Sequence, residues 1–121
     1  MANNKLLIDT IVEGILEKKG RDILILDLEK LGYAFCDSFI ICHADSTTQV
    51  SAIADSIEKK TREDLTIKVH HREGLENSIW VLLDFADVLV HIFQKEYREY
   101  YKLEQLWGDA KTIKIEESYN F

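Results

Sequence analysis

From Leu6 to Lys19 the apolar residues recur at helical spacing, with Leu7, Ile8, Ile11, Val12, Ile15 and Leu16 on one stripe. This predicts an amphipathic helix. Asn3 or Asn4 stands where a cap belongs, and Gly20, after Lys18 and Lys19, is a natural stop. "DILILDL" (22–28) then reads as a strand buried on both faces, "EKLGYAF" (29–35) as a connection, and "CDSFIICH" (36–43) as a second strand. Asp45, Ser46 and Thr47 each suit the cap of a second helix, whose stripe is Val50, Ile53, Ala54 and Ile57. "LTIKVHH" (65–71) predicts a third strand and "REGLENS" (72–78) a polar turn. "WVLLDFADVLVHIF" (80–93) predicts two more strands, and "QKEYREYYKLEQLWGDA" (94–110) an aromatic-rich helix. The end, "KTIKIEESYNF", is polar apart from alternating Ile113 and Ile115, and is expected to fray or to pair weakly.

The order is therefore α-β-β-α-β-β-β-α. Strands joined through a helix suggest a parallel pair, and the late strands suggest hairpins. The expected fold class is α/β: a mixed β-sheet of about five strands flanked by helices. With 121 residues, one core is expected, in a single domain over residues 1–110 followed by a polar tail over 111–121.

The 80–93 hairpin carries the functional question. With Phe85 and Ala86 as a two-residue turn, Leu83 pairs with Val88, Val81 with Val90 and Ile79 with Ile92, an aliphatic face suited to a core. The other face sets Trp80 opposite His91 and Leu82 opposite Leu89, with Phe93 near one end and Asp84 and Asp87 at the turn. An aromatic anchor, an apolar middle and a charged rim are the parts of a recognition surface. The same residues also suit packing under the last helix. Phe-Ala is poor chemistry for a tight turn, and Asp84 opposite Asp87 is unfavourable, so a one-residue slip that exchanges part of a face stays open. The last helix carries Tyr97, Tyr100, Tyr101 and Trp107 among Arg98, Glu99, Glu104 and Asp109. One stripe (Tyr97, Tyr100 or Tyr101, Glu104, Trp107) is expected to pack on the sheet. The aromatics exceed one stripe, so some are expected in water.

The formal charge is −7, which repels bare nucleic acid, and no basic cluster with interleaved aromatics is present. Sequence-specific nucleic-acid binding is not expected, and a basic protein partner fits better. No apolar run approaches the ~20 residues of a membrane span, and the N-terminus lacks the pattern of a signal peptide. The expected setting is cytoplasmic. Cys36 and Cys42 are expected as reduced, buried thiols on one face of one strand. No metal or cofactor is expected.

Catalytic motifs are missing from the pattern: there is no glycine-rich phosphate loop, nucleophile elbow or zinc helix. His70 and His71, adjacent on a strand, point to opposite faces and cannot share one metal. Asp27 and Glu29 form an acid-x-acid pair of the kind two-metal sites use, but no glycine-serine turn stands upstream.

Several stretches, in this order, carry a family resemblance: "CDSFIICHADSTTQVSAIADSI", "WVLLDFADVLVHIF" and "YREYYKLEQLWGDA". They resemble the Iojap-like ribosomal silencing factor family (RsfS) over roughly Leu6 to Ala110. The family usually has glycine where this chain has Ala86, and Gly-Thr-Ser where it has Ala44, Asp45 and Ser46. The resemblance implies a nucleotidyltransferase-like fold without a catalytic site, and a protein that is not an enzyme. It implies binding to the large ribosomal subunit through ribosomal protein fourteen, which blocks subunit association and represses translation, with a further role in large-subunit maturation. On that basis Trp80, Leu82 and Phe93 are expected as an apolar anchor, and Asp87 and Glu104 as partners for basic side chains. His91, Arg98 and Tyr101 are expected to fix orientation, and Trp107 either to join them or to pin the helix. Two rival readings are a homodimeric assembly protein, with the same face dimerising when free, and a divergent nucleotidyltransferase-like enzyme.

Overall fold

The computed structural model describes residues 4–29, 31 and 36–117. In chain order the elements are α1 (Lys5–Glu17), β1 (Arg21–Asp27), β2 (Ser38–Ala44), α2 (Thr47–Leu65), β3 (His71–Glu73), β4 (Trp80–Asp84), β5 (Val88–Gln94), α3 (Lys95–Tyr101), α4 (Leu103–Leu106) and β6 (Lys111–Lys114). The strands form one mixed sheet in the order β3-β4-β5-β2-β1-β6. β2 and β5 are parallel and joined through α2, and every other pair is antiparallel. The fold is the α/β class expected, with six strands in place of about five.

Helices α1 and α2 cover one face. Ile11, Ile15, Val50, Ile53 and Ile57 meet Ile23, Ile40, Cys42, Val81, Val90 and Ile92 there, all fully buried. Each such aliphatic side chain contributes about 1.5–3 kcal/mol relative to exposure. The two helices approach closely at Gly14, where a Cβ would lie 3.0 Å from the Ile57 Cα. Ser56 Oγ donates to the Gly14 carbonyl at 2.9 Å and so satisfies a hydroxyl buried between them. Ser46 caps α2, its Oγ accepting from Gln49 N at 3.1 Å. α1 is closed differently from expectation: Lys19 takes the left-handed conformation (φ 59°), and Gly20 N donates back to the Ile15 carbonyl. Asn4 stands at the N-cap position, but its amide donates to Asp37 rather than capping.

The other face is packed by the chain after β5. Leu26, Phe39, Ile41, Leu89 and Phe93 lie under Leu103, Trp107 and Ala110. β2 is buried along its whole length, as a central strand between two helical layers must be.

Three local expectations are corrected, and one open alternative is decided. The "LTIKVHH" stretch is not a strand: Leu65 ends α2, Thr66 turns left-handed (φ 57°), and Ile67 and Val69 pack on the core without a ladder. Only its last residue, His71, lies in a strand: β3 opens there and runs into the expected polar turn. The single last helix is two, broken where Lys102 takes φ 48°. Of the two courses open to the end of the chain, Lys111–Lys114 take pairing, as edge strand β6 against β1. Cys36 and Cys42 do not share a face: Cys36 precedes β2 in a bend, so strand alternation does not reach it, and each packs on a different side of the sheet. Both thiols are free and buried, and burial pushes their pKa values up, to about 11 for Cys36 and about 12 for Cys42.

Candidate functional site

The β4–β5 turn is Ala86–Asp87, not Phe85–Ala86. Phe85 N donates to the Val88 carbonyl at 2.9 Å, and the ladder runs Asp84↔Leu89, Leu82↔His91, Trp80↔Phe93. The register thus differs from expectation by two residues, which leaves every side chain on its expected face. The shift removes the clash of Asp84 with Asp87, and Asp84 Oδ1 instead accepts from Ala86 N at 2.7 Å. The strain sits at Ala86 (φ 72°), a conformation that suits glycine. Phe85 is buried, and an apolar residue that size belongs in the core rather than in a turn.

Trp80 starts β4 on the face away from α1 and α2. Its ring stacks on Phe93 at 4.8 Å (28° between planes) and meets Tyr101 at 4.9 Å. Its Nε1 donates to His91 Nδ1 at 3.1 Å. α3 packs over β5 and β2, so Trp80 and Leu82 on β4 remain half-buried at the side of that cover. Tyr101 is 46% and Tyr100 78% exposed. Together Trp80, Leu82 and Tyr101 form a partly open aromatic face. Asp87 is exposed at the hairpin tip, roughly six residues or ~20 Å from Trp80 along the hairpin.

The remaining expected site residues face inward. Phe93 is 0% exposed and serves as the floor under Trp80. His91 is 6% exposed, between Phe39 and the indole. Trp107 packs edge-on against Phe39 at 5.5 Å, which pins the last segment to the sheet. In α3 the buried residue is Arg98 and not a tyrosine stripe. Its Nη1 donates to the carbonyls of Asp22 (2.7 Å) and Arg21 (3.4 Å), where the β1–β2 ladder slips, and lies 3.0 Å from His43 Nδ1. Its Nε is 3.5 Å from Glu104 Oε1. Arg98 and Glu104 therefore form an ion pair within the fold.

Two histidines, His43 and His91, are buried. A guanidinium only donates, so His43 Nδ1 accepts and the ring is neutral. Burial, and then the Arg98 charge, lower its pKa. Burial alone lowers that of His91, to about 4. In the sequence His43 offers itself only as a third metal ligand beside Cys36 and Cys42, without ligand spacing, and its place beside Arg98 is not evident there. The usable signal was its parity with Phe39 and Ile41, which places it on the same face of β2.

The acid-x-acid pair forms a local turn: Asp27 Oδ1 accepts from Glu29 N at 3.1 Å. Among the described residues, no group of three His, Cys, Asp or Glu is placed to hold a metal ion. Nor is any helix among them long and apolar enough to cross a membrane.

Fold and face together make a domain of the α/β class, with an aromatic plate beside the helical cover of a mixed sheet. Comparison with known proteins gives the family. The profile described as "Ribosomal silencing factor during starvation" matches residues 2–120. The ribosomal silencing factor RsfS of Halalkalibacterium halodurans is 40% identical over 114 residues, 94% of this chain and 96% of that one. A crystal structure of a Chromobacterium violaceum protein superposes with a TM-score of 0.82 at 34% identity, covering 88% of each chain. A mouse protein named "mitochondrial assembly of ribosomal large subunit protein 1" is 30% identical over 105 residues, 83% of this chain and 44% of that one. This chain belongs to the ribosomal silencing factor family.

Proposed function

We propose that this protein docks on the large ribosomal subunit, through ribosomal protein fourteen, and blocks joining of the small subunit without catalysing a reaction. The observation that carries this is the half-open Trp80–Leu82–Tyr101 face, rigidly backed by Phe93, in a chain of the ribosomal silencing factor family. A pre-formed aromatic plate is what a hot spot needs, because little side-chain entropy is left to lose on binding. Net charge of −7 favours a basic partner protein and disfavours direct docking on RNA. The name of the mouse relative points to the same subunit and supports a second role in its maturation. The action belongs in the cytoplasm, where translating subunits meet. Blocking is steric, since a covered surface cannot be covered again.

The test is a joining assay with purified subunits. Large subunits are pre-incubated with the protein, small subunits are added, and joined ribosomes are resolved by sedimentation. The joined fraction is expected to fall as protein is titrated, and an unchanged fraction at excess protein contradicts the proposal. Self-association of the free protein is a second reading. It is favoured by Tyr100 and by Leu106, which is 75% exposed.

A further inference from the structure

His91 was expected to reach a partner, yet it is nearly sealed inside the protein. What it does touch is Trp80. The indole N–H can only donate, so His91 Nδ1 accepts and the ring's single proton sits on Nε2. That Nε2 is buried and has no hydrogen-bond partner among the described residues. The arrangement is costly: a donor is left unpaired among aromatic rings so that the opposite nitrogen can face the indole. Trp80 and His91 are diagonal neighbours across the β4–β5 ladder, the one opposite Phe93 and the other opposite Leu82. Phe93 below, Tyr101 beside and His91 at the N–H therefore hold the indole from three directions.

We propose that His91 is a positioning residue: its Nδ1 holds the Trp80 indole in one pose in the free protein, with the only polar atom of that ring turned inward. The indole surface left to a partner is then purely apolar, so the partner's complement to Trp80 is an apolar cleft and carries no hydrogen-bond acceptor for the indole. This rests on the docking face proposed above. It adds that the pose exists before docking and depends on His91.

The consequence is energetic. Without His91 the indole N–H of the free protein is satisfied by water, and docking strips that water away. An unpaired donor buried at an interface lowers affinity by about tenfold. A phenyl ring fits the same aromatic surroundings but accepts nothing. Asparagine carries a carbonyl oxygen near the place of Nδ1, and so restores the acceptor.

The experiment combines two readouts on wild type, His91→Phe, His91→Asn, Trp80→Phe and the double variant Trp80→Phe/His91→Phe. The first is solvent exchange of the Trp80 indole N–H in the free protein, by NMR. Protection is expected in wild type and in His91→Asn, and is lost in His91→Phe. The second is affinity for purified large ribosomal subunits. His91→Phe is expected to weaken binding about tenfold when Trp80 is present and to have no effect when position 80 is Phe. His91→Asn is expected to bind as wild type does. Protection unchanged in His91→Phe overturns the proposal, as does an equal affinity loss in both backgrounds, which would make His91 a packing residue only. If wild type binds no large subunits, the docking reading fails, while the exchange measurement still decides whether His91 holds the indole.

Discussion

Arg98→Ala is expected to destabilise the protein by about 3 kcal/mol or more, the magnitude for breaking a buried charge pair by removing one partner. The guanidinium ties four elements together. It satisfies the Arg21 and Asp22 carbonyls in β1, His43 in β2 and Glu104 in α4, from its own place in α3. Its removal leaves the Asp22 carbonyl, His43 Nδ1 and the Glu104 carboxylate without their donor, and opens a cavity at a residue only 7% exposed. Glu104 Oε2 is already buried without a hydrogen-bond partner among the described residues, so the carboxylate has little in reserve. Urea unfolding checks this. The midpoint should fall with the slope unchanged, and an unshifted midpoint would show that the clasp contributes nothing.

The second large effect is on acid stability. His91 has a folded pKa of about 4 against an ordinary 6.5, and burial is the cause. Above about pH 6.5 the ring is neutral in both states and contributes no pH dependence. Below it, the unfolded chain takes up a proton that the folded protein refuses. Unfolding is therefore favoured progressively as pH falls from about 6.5 to about 4, by about 3 kcal/mol in all. His43, also lowered by burial, acts in the same direction. Unfolding free energy measured across this window should decline in wild type and decline much less in His91→Phe. Equal slopes in the two proteins would refute the assignment to His91.

How far the sequence carried these conclusions depends on the element. The stripes of α1 and α2 were legible because burial on one side enforces helical spacing. β1, β2 and the hairpin faces were legible because strand alternation survives a two-residue register change. The register itself was not, because it turns on Ala86 occupying a left-handed conformation that its side chain disfavours. Leu65, Ile67 and Val69 alternate as a strand does, yet the first belongs to a helix and the others reach the core from irregular backbone. β6 was legible only as the alternation of Ile113 and Ile115, because an exposed four-residue edge strand has no buried face to leave a stronger pattern. In the site, Trp80, Leu82 and Tyr101 were identifiable by residue type, and the face they form exists. Phe93, His91, Arg98 and Glu104 were singled out too, but a ring or charge in a sequence does not tell whether it faces a partner or its own fold. Only the placement of α3, with Arg98 as its buried residue, separates the two groups.

The central claim is that the Trp80 face docks on the large subunit. Co-sedimentation of the protein with purified large and small subunits separately, wild type beside Trp80→Ala, tests it most directly. The account predicts that wild type pellets with the large subunit alone. It also predicts that Trp80→Ala, shown to be folded by its unfolding midpoint, binds about thirtyfold more weakly, the cost of truncating a central aromatic anchor. Binding of wild type to neither subunit, or undiminished binding by Trp80→Ala, would contradict it.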